Sequence, residues 1–112
     1  MIGPSGQTTV LIYRQPIDFR NGIDGICGIC KQKLNEDPFN GGMFVFTNRS
    51  RQSLKILYYD GQGFWVYHKR LSTGRFKWWP TENDKHALAA IELMVLINNG
   101  DPSSSQMQKN WL

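Results

Sequence analysis

Two cysteines and two histidines are all that 112 residues offer for thiolate or imidazole chemistry. A structural zinc site takes about four such ligands, commonly with a second C-x-x-C or a His pair. Neither is present, because His68 and His86 stand apart in different expected elements and read as surface or packing residues. Two cysteines also make no disulfide scaffold, and they suit a reducing, cytoplasmic setting. No run of about 18 apolar residues occurs, so no membrane-spanning helix is expected. The opening MIGPSGQ has neither a basic n-region nor an apolar h-region, so no secretory leader is expected from it. The G-x-S-x-G, H-E-x-x-H and Walker-type spacings are also missing. The nine acids are scattered, several of them at caps and turns, and no cofactor or metal is expected.

The cysteines fall in GICGIC, residues 25–30, with the C-x-x-C spacing of redox and zinc sites. That step is also the same-face step of a helix. Phe19, Ile23, Ile26, Cys27, Cys30 and Leu34 recur at steps of four, three, one, three and four, which predicts one apolar helix face. Asp18 stands where an N-cap belongs. A thioredoxin-like site would place its thiols at the helix N-terminus, where the dipole lowers their pKa. Here they lie about two turns in, and both read as packing residues.

Around this helix the pattern is that of strands. TTVLIYR (8–14) is β-branched and aromatic and predicts a first strand. After the Asn35–Pro38 stop and the Asn40-Gly41-Gly42 turn, MFVFT (43–47), SLKILYY (53–59), FWVYHK (64–69) and RFKWW (75–79) follow in quick succession. Connections this short favour antiparallel neighbours. The segment HALAAIELMVLINN (86–99) predicts a second helix capped by Asp84 and closed by Gly100-Asp101-Pro102. The expected fold is α+β, an antiparallel meander of four or five strands packed with two helices. Residues 1–100 form one domain, and 101–112 a polar, flexible tail apart from Trp111 and Leu112.

The net charge of +4 is unevenly placed. Arg49, Arg51, Lys55, Lys69, Arg70, Arg75 and Lys77 face a single acid, Asp60, within residues 49–77, while the rest of the chain is net acidic. Alternate turns of a meander point to opposite ends, so the 48–51 tip and the 69–75 loop are expected at the same end. Lys and Arg at hairpin ends neutralise phosphates, and neighbouring tyrosines and tryptophans either stack on bases or fill the core. These seven residues are the candidate DNA contacts.

The ordered blocks Asp18–Gly25, Asp37–Gly41, Phe44–Arg51, Lys55–Trp65, Lys69–Leu71 and Gly74–Trp78 resemble, in order and spacing, the TnpB-type accessory protein of the insertion-sequence-66 family of bacterial mobile elements. This family is distinct from the RNA-guided nuclease that shares the name. The resemblance spans about residues 8–80 and implies a role in DNA transposition beside a separate, larger transposase that carries out strand transfer. It supplies no defined activity for the small chain. The expectation is a non-catalytic accessory factor binding DNA, the transposase, or both, with no membrane association. Two other classes stay open: a protein–protein adaptor docking through the wide apolar face of the second helix and Trp111, and a small nuclease.

Overall fold

A five-stranded sheet, open at both edges, divides two layers of helix and irregular chain in the computed structural model, which describes residues 8–103. In chain order the elements are β1 (Val10–Tyr13), α1 (Ile23–Gln32), β2 (Met43–Thr47), β3 (Ser53–Tyr59), β4 (Phe64–Arg70), β5 (Lys85–Leu88) and α2 (Ala90–Ile97). Spatially the strands run β4-β3-β2-β1-β5. β2, β3 and β4 form the expected meander, with Thr47 opposite Leu54 and Ser53 opposite Arg70. β1 is parallel to β2. A parallel neighbour needs a crossover of a dozen or more residues, and α1 supplies it.

Alternation along the strands gives the sheet two apolar faces. On one, Leu11, Tyr13, Phe44, Phe46 and Leu57 pack with Ile26, Cys30 and Leu34 from α1 and the turn after it. On the other, Val10, Ile12, Met43, Val45, Leu54 and Ile56 pack with Leu93 and Leu96 of α2 and with Phe76 and Trp79. The reading of the cysteines as packing residues fits this arrangement. Cys30 is fully buried, Cys27 is half-buried, and both thiols are free. Burial pushes the Cys30 thiol up to about 12, with Cys27 and Glu36 adding to the shift, and burial also raises that of Cys27.

Four local expectations are corrected. Residues 75–79 are not a strand, because this stretch must carry the chain from the β4 edge of the sheet to the β5 edge. Bridging four inter-strand spacings means about 19 Å of travel across the strands rather than along them. Phe76 and Trp79, three residues apart, are buried on the α2 face during that crossing, and Trp79 Nε1 donates to Arg14 O at 2.8 Å. Residues 85–88 form a strand instead of the first helical turn, since Lys85–Leu88 supply the antiparallel ladder that the outer edge of β1 lacks. Non-local pairing overrides the helical propensity of Ala and Leu there.

Neither expected aspartate cap is present. α1 starts after Gly22, and Asp18 instead accepts from the Arg20 backbone and side chain. Asp84 accepts from Arg14 and Gln15. α2 is capped by Glu92, whose Oε1 accepts from Ala89 N–H at 2.8 Å. Its far end turns through Asn99 in the left-handed region, φ 60°, and Gly100 N–H donates back to Val95 O. Of the expected flexible tail, residues 104–112 lie outside the described residues, and Pro102 is buried. Among the described residues, no helix is long and apolar enough to cross a membrane.

Candidate nucleic-acid interface

The strand directions decide which loops meet. β1 and β2 finish at the same end of the sheet, β3 and β5 begin there, and β4 ends there. Segments 14–22, 48–52, 71–76 and 81–84 therefore gather at one end. Ile17 N–H donates to Thr47 O, Leu71 N–H to Gln52 O and Phe76 N–H to Arg51 O, each at 2.9 Å. These bonds tie the loop after β1 and the loop after β4 to the β2–β3 turn.

That turn is tightly built. Arg51 N–H donates to Asn48 O, and Arg51 itself takes φ 60°, a left-handed conformation uncommon for a residue with a Cβ. Asn48 Oδ1 accepts from Ser53 N–H, and Thr47 Oγ1 donates to Ser53 O. The geometry leaves Arg49 exposed and Arg51 half-exposed at the tip. Beside the tip lies an open depression of about 730 Å³, lined by Pro16–Arg20 and Asn48–Ser50.

The seven candidate contacts do not share one environment. Arg49, Arg51, Arg70 and Arg75 lie on the turn, the end of β4 and the adjoining loop, and their guanidinium groups have no hydrogen bond or ion pair among the described residues. Lys77 is exposed beside the C-terminus of α2, where its backbone N–H donates to Asn99 Oδ1. Lys69 is exposed too, but its Nζ donates to Ile97 O at 2.7 Å, a favourable place for a cation at the negative end of a helix. Lys55 stands apart from the others. It is half-buried on the α1 face, and its Nζ donates to Phe19 O at 2.8 Å and to Asn21 O, while lying 4.9 Å from the Phe19 ring centroid. Its charge holds the 17–22 loop.

Two cations absent from the candidate set also reach this end. Arg14 pairs with Asp84 at 2.8 Å, and Arg20 pairs with Asp18. The Arg20 side chain is 91% exposed, so its outer face is open to an anion. Hydrogen bonds from Arg20 hold the Asp18 carboxyl at about 2. Both arginines lie outside the basic 49–77 run, and only the parallel placement of β1 beside β2 brings them in. Arg20 stands in the Asp18–Gly25 block, but no local pattern set either arginine near the 48–51 turn.

The chain matches the family model described as "IS66 Orf2 like protein" over residues 8–107. It belongs to that family. Two Sinorhizobium fredii (strain NBRC 101917 / NGR234) proteins are similar to it. One, y4jC, is 32% identical over 97 residues, covering 87% of this chain and 83% of the relative. The other, y4hO, is 35% identical over 99 residues, covering 88% and 86%. Both are named only as uncharacterized proteins. No solved structure matches the chain. For this family member, an accessory role in the transposition of an insertion sequence is what membership implies.

Proposed function

We propose that this family member is a non-catalytic transposition factor that binds DNA at the basic end of its sheet and works beside the transposase of the same element. One observation carries the reading: the 48–51 turn and the 70–77 segment are tied together, bringing the exposed Arg49, Arg70, Arg75 and Lys77 and the half-exposed Arg51 to one end of the sheet. Arg49, Arg51, Arg70, Arg75 and Lys77 then contact phosphate, Lys69 contributes from the α2 border, and Lys55 supports the loop behind them. Each neutralised phosphate releases condensed counterions, so affinity falls steeply with salt.

The non-catalytic part of the reading draws on how the carboxylates are used. Asp18, Asp84 and Glu36 are paired with Arg20, Arg14 and Lys85. Asp37, Asp60, Glu92 and Asp101 accept from nearby backbone N–H groups. These acids have structural partners in place of the convergent geometry that acid–base or metal-assisted cleavage requires.

Salt-varied binding to duplex DNA from the element's ends, with and without transposase, tests the proposal. Changing Arg49 and Arg51 to Gln, or Lys69 and Arg70 to Gln, is expected to lower the salt slope by roughly 0.9 for each phosphate that is no longer neutralised. The control changes Lys31 on α1 and Lys33 just after its last residue and is expected to leave the slope unaltered. A wild type that ignores DNA at low salt yet captures transposase overturns the DNA reading in favour of an adaptor.

A further inference from the structure

β4 is an edge strand whose α2-side face is only partly covered. Trp65, Tyr67 and Lys69 alternate along that face, opposite Tyr58, Ile56 and Leu54 of β3. The Trp65 and Tyr67 rings are near-parallel, 11° apart in plane with centroids 6.1 Å apart. Trp65 is 43% exposed, unusual for a side chain of its apolar area. It is also held in place, because its Nε1 donates to Asp60 Oδ2 at 2.8 Å. Next to Tyr67 a groove of about 300 Å³ opens between β4 and α2, walled by Met94 and Ile97. The Tyr67 hydroxyl is buried there without a hydrogen-bond partner among the described residues.

The row has an electrostatic direction. At its start is Asp60, the one acid between residues 49 and 77; at its end are Lys69, Arg70, Arg75 and Lys77. An oriented, exposed indole near an apolar groove, leading toward exposed cations, suits a ligand with planar apolar faces on a polyanionic backbone. Single-stranded nucleic acid has both features, since its unpaired bases are free to stack on aromatic rings while a basic track takes the phosphates. A duplex offers phosphates but keeps its bases stacked inside. Charge complementarity at the cationic end favours such a strand over an apolar peptide as the occupant of the groove.

We propose that the β4 face is a binding platform for single-stranded DNA, with bases stacked on Trp65 and Tyr67 and the backbone leaving toward Lys69, Arg75 and Lys77. The proposal rests on the DNA-binding reading above and extends it to a strand-separated form of the same ligand. The duplex site and the platform share Lys69, Arg75 and Lys77 but are separable at their other members: Arg49 and Arg51 at the sheet end belong to the first, Trp65 and Tyr67 along the edge strand to the second.

The test uses the full chain and two probes, an oligothymidylate of about twelve nucleotides and a duplex of the element's end. Wild type is expected to bind the oligothymidylate with quenching of tryptophan fluorescence. Trp65→Phe is expected to keep binding but lose most of the quenching, which assigns the signal to this ring. Trp65→Ala, at an exposed position, is expected to weaken oligothymidylate binding about tenfold or more while leaving duplex binding unchanged. Tyr67→Phe keeps the ring and is expected to retain stacking. If wild type binds duplex but not oligothymidylate, the platform is overturned and the duplex reading stands; if it binds neither, both fall. Equal affinity of Trp65→Ala and wild type for the oligothymidylate also overturns it. So does loss of transposase binding, rather than oligothymidylate binding, in Trp65→Ala, which would make the groove a protein-docking site.

Discussion

Lys55 and Asp18 show how far a side chain's role depends on what faces it. Lys55 lies in the middle of the basic run, yet its ammonium is turned to the carbonyls of Phe19 and Asn21. Lys55→Met keeps the aliphatic stem and removes the charge-assisted bonds, worth about 1.5–3 kcal/mol when a charged group is involved. Chemical denaturation is expected to show a loss of that order, discounted for partial exposure, while the salt slope of DNA binding stays unchanged. Asp18 works in the opposite sense, occupying Arg20 and placing a negative charge in the depression that Arg49 also lines. Asp18→Ala is expected to raise DNA affinity and steepen the salt slope by up to about 0.9, because Arg20 becomes available to phosphate. Since the carboxyl is held at about 2, below its ordinary 3.8, the stabilising pair is intact above pH 3.8 and is lost only as pH falls through 2. Binding measured from pH 5 to 8 is therefore expected to show no Asp18 titration. Cys30 gives a third check. With its thiol pushed up to about 12 and its side chain fully buried, native protein at neutral pH should resist thiol reagents at this position. Cys30→Ala is expected to cost about 1–2 kcal/mol in denaturation, as deletion of a small buried group.

The segment between β4 and β5 is irregular but structurally important. Phe76 is 1% exposed and belongs to the α2-side core, although its neighbours Arg75 and Lys77 are exposed. An isolated edge strand would tolerate truncation here far better than this crossing segment. Phe76→Ala is expected to cost about 3–5 kcal/mol, seen as a lower urea midpoint, a large share of the roughly 5–15 kcal/mol that holds a small domain together. DNA binding is expected to weaken as well, because the buried Phe76 ring anchors the segment that carries Arg75 and Lys77, and without it the backbone bond from residue 76 to Arg51 O is left to hold that stretch. Within the turn, Arg51→Gly separates the two effects. Glycine takes φ 60° without the steric cost borne by arginine, so stability should hold or rise by about 1 kcal/mol while the DNA face gives up one cation. Thermal melts and salt titrations read the two outcomes independently.

For the molecule as a whole, the sequence determined what is local. A continuous apolar run for β2, alternation along β3 and the short turns between them gave β2, β3 and β4, and the spacing of Ile26, Cys30 and Leu34 gave the buried face of α1 and assigned the cysteines to packing. The clustered cations and the ordered blocks pointed to the family to which the chain belongs. Only tertiary structure decided that β1 lies parallel to β2, that 85–88 close its other side as a strand, and that 71–84 run across the sheet. Those choices brought Arg14 and Arg20 to the basic end and drew Lys55 onto the 17–22 loop. The division has a physical cause. Side-chain periodicity records which face of one element is buried, whereas the partner of a strand edge is fixed by backbone groups that every residue carries alike. A pattern of side chains therefore announces a strand or a helix face, but the neighbours that complete it are settled only when distant segments compete for the same hydrogen bonds.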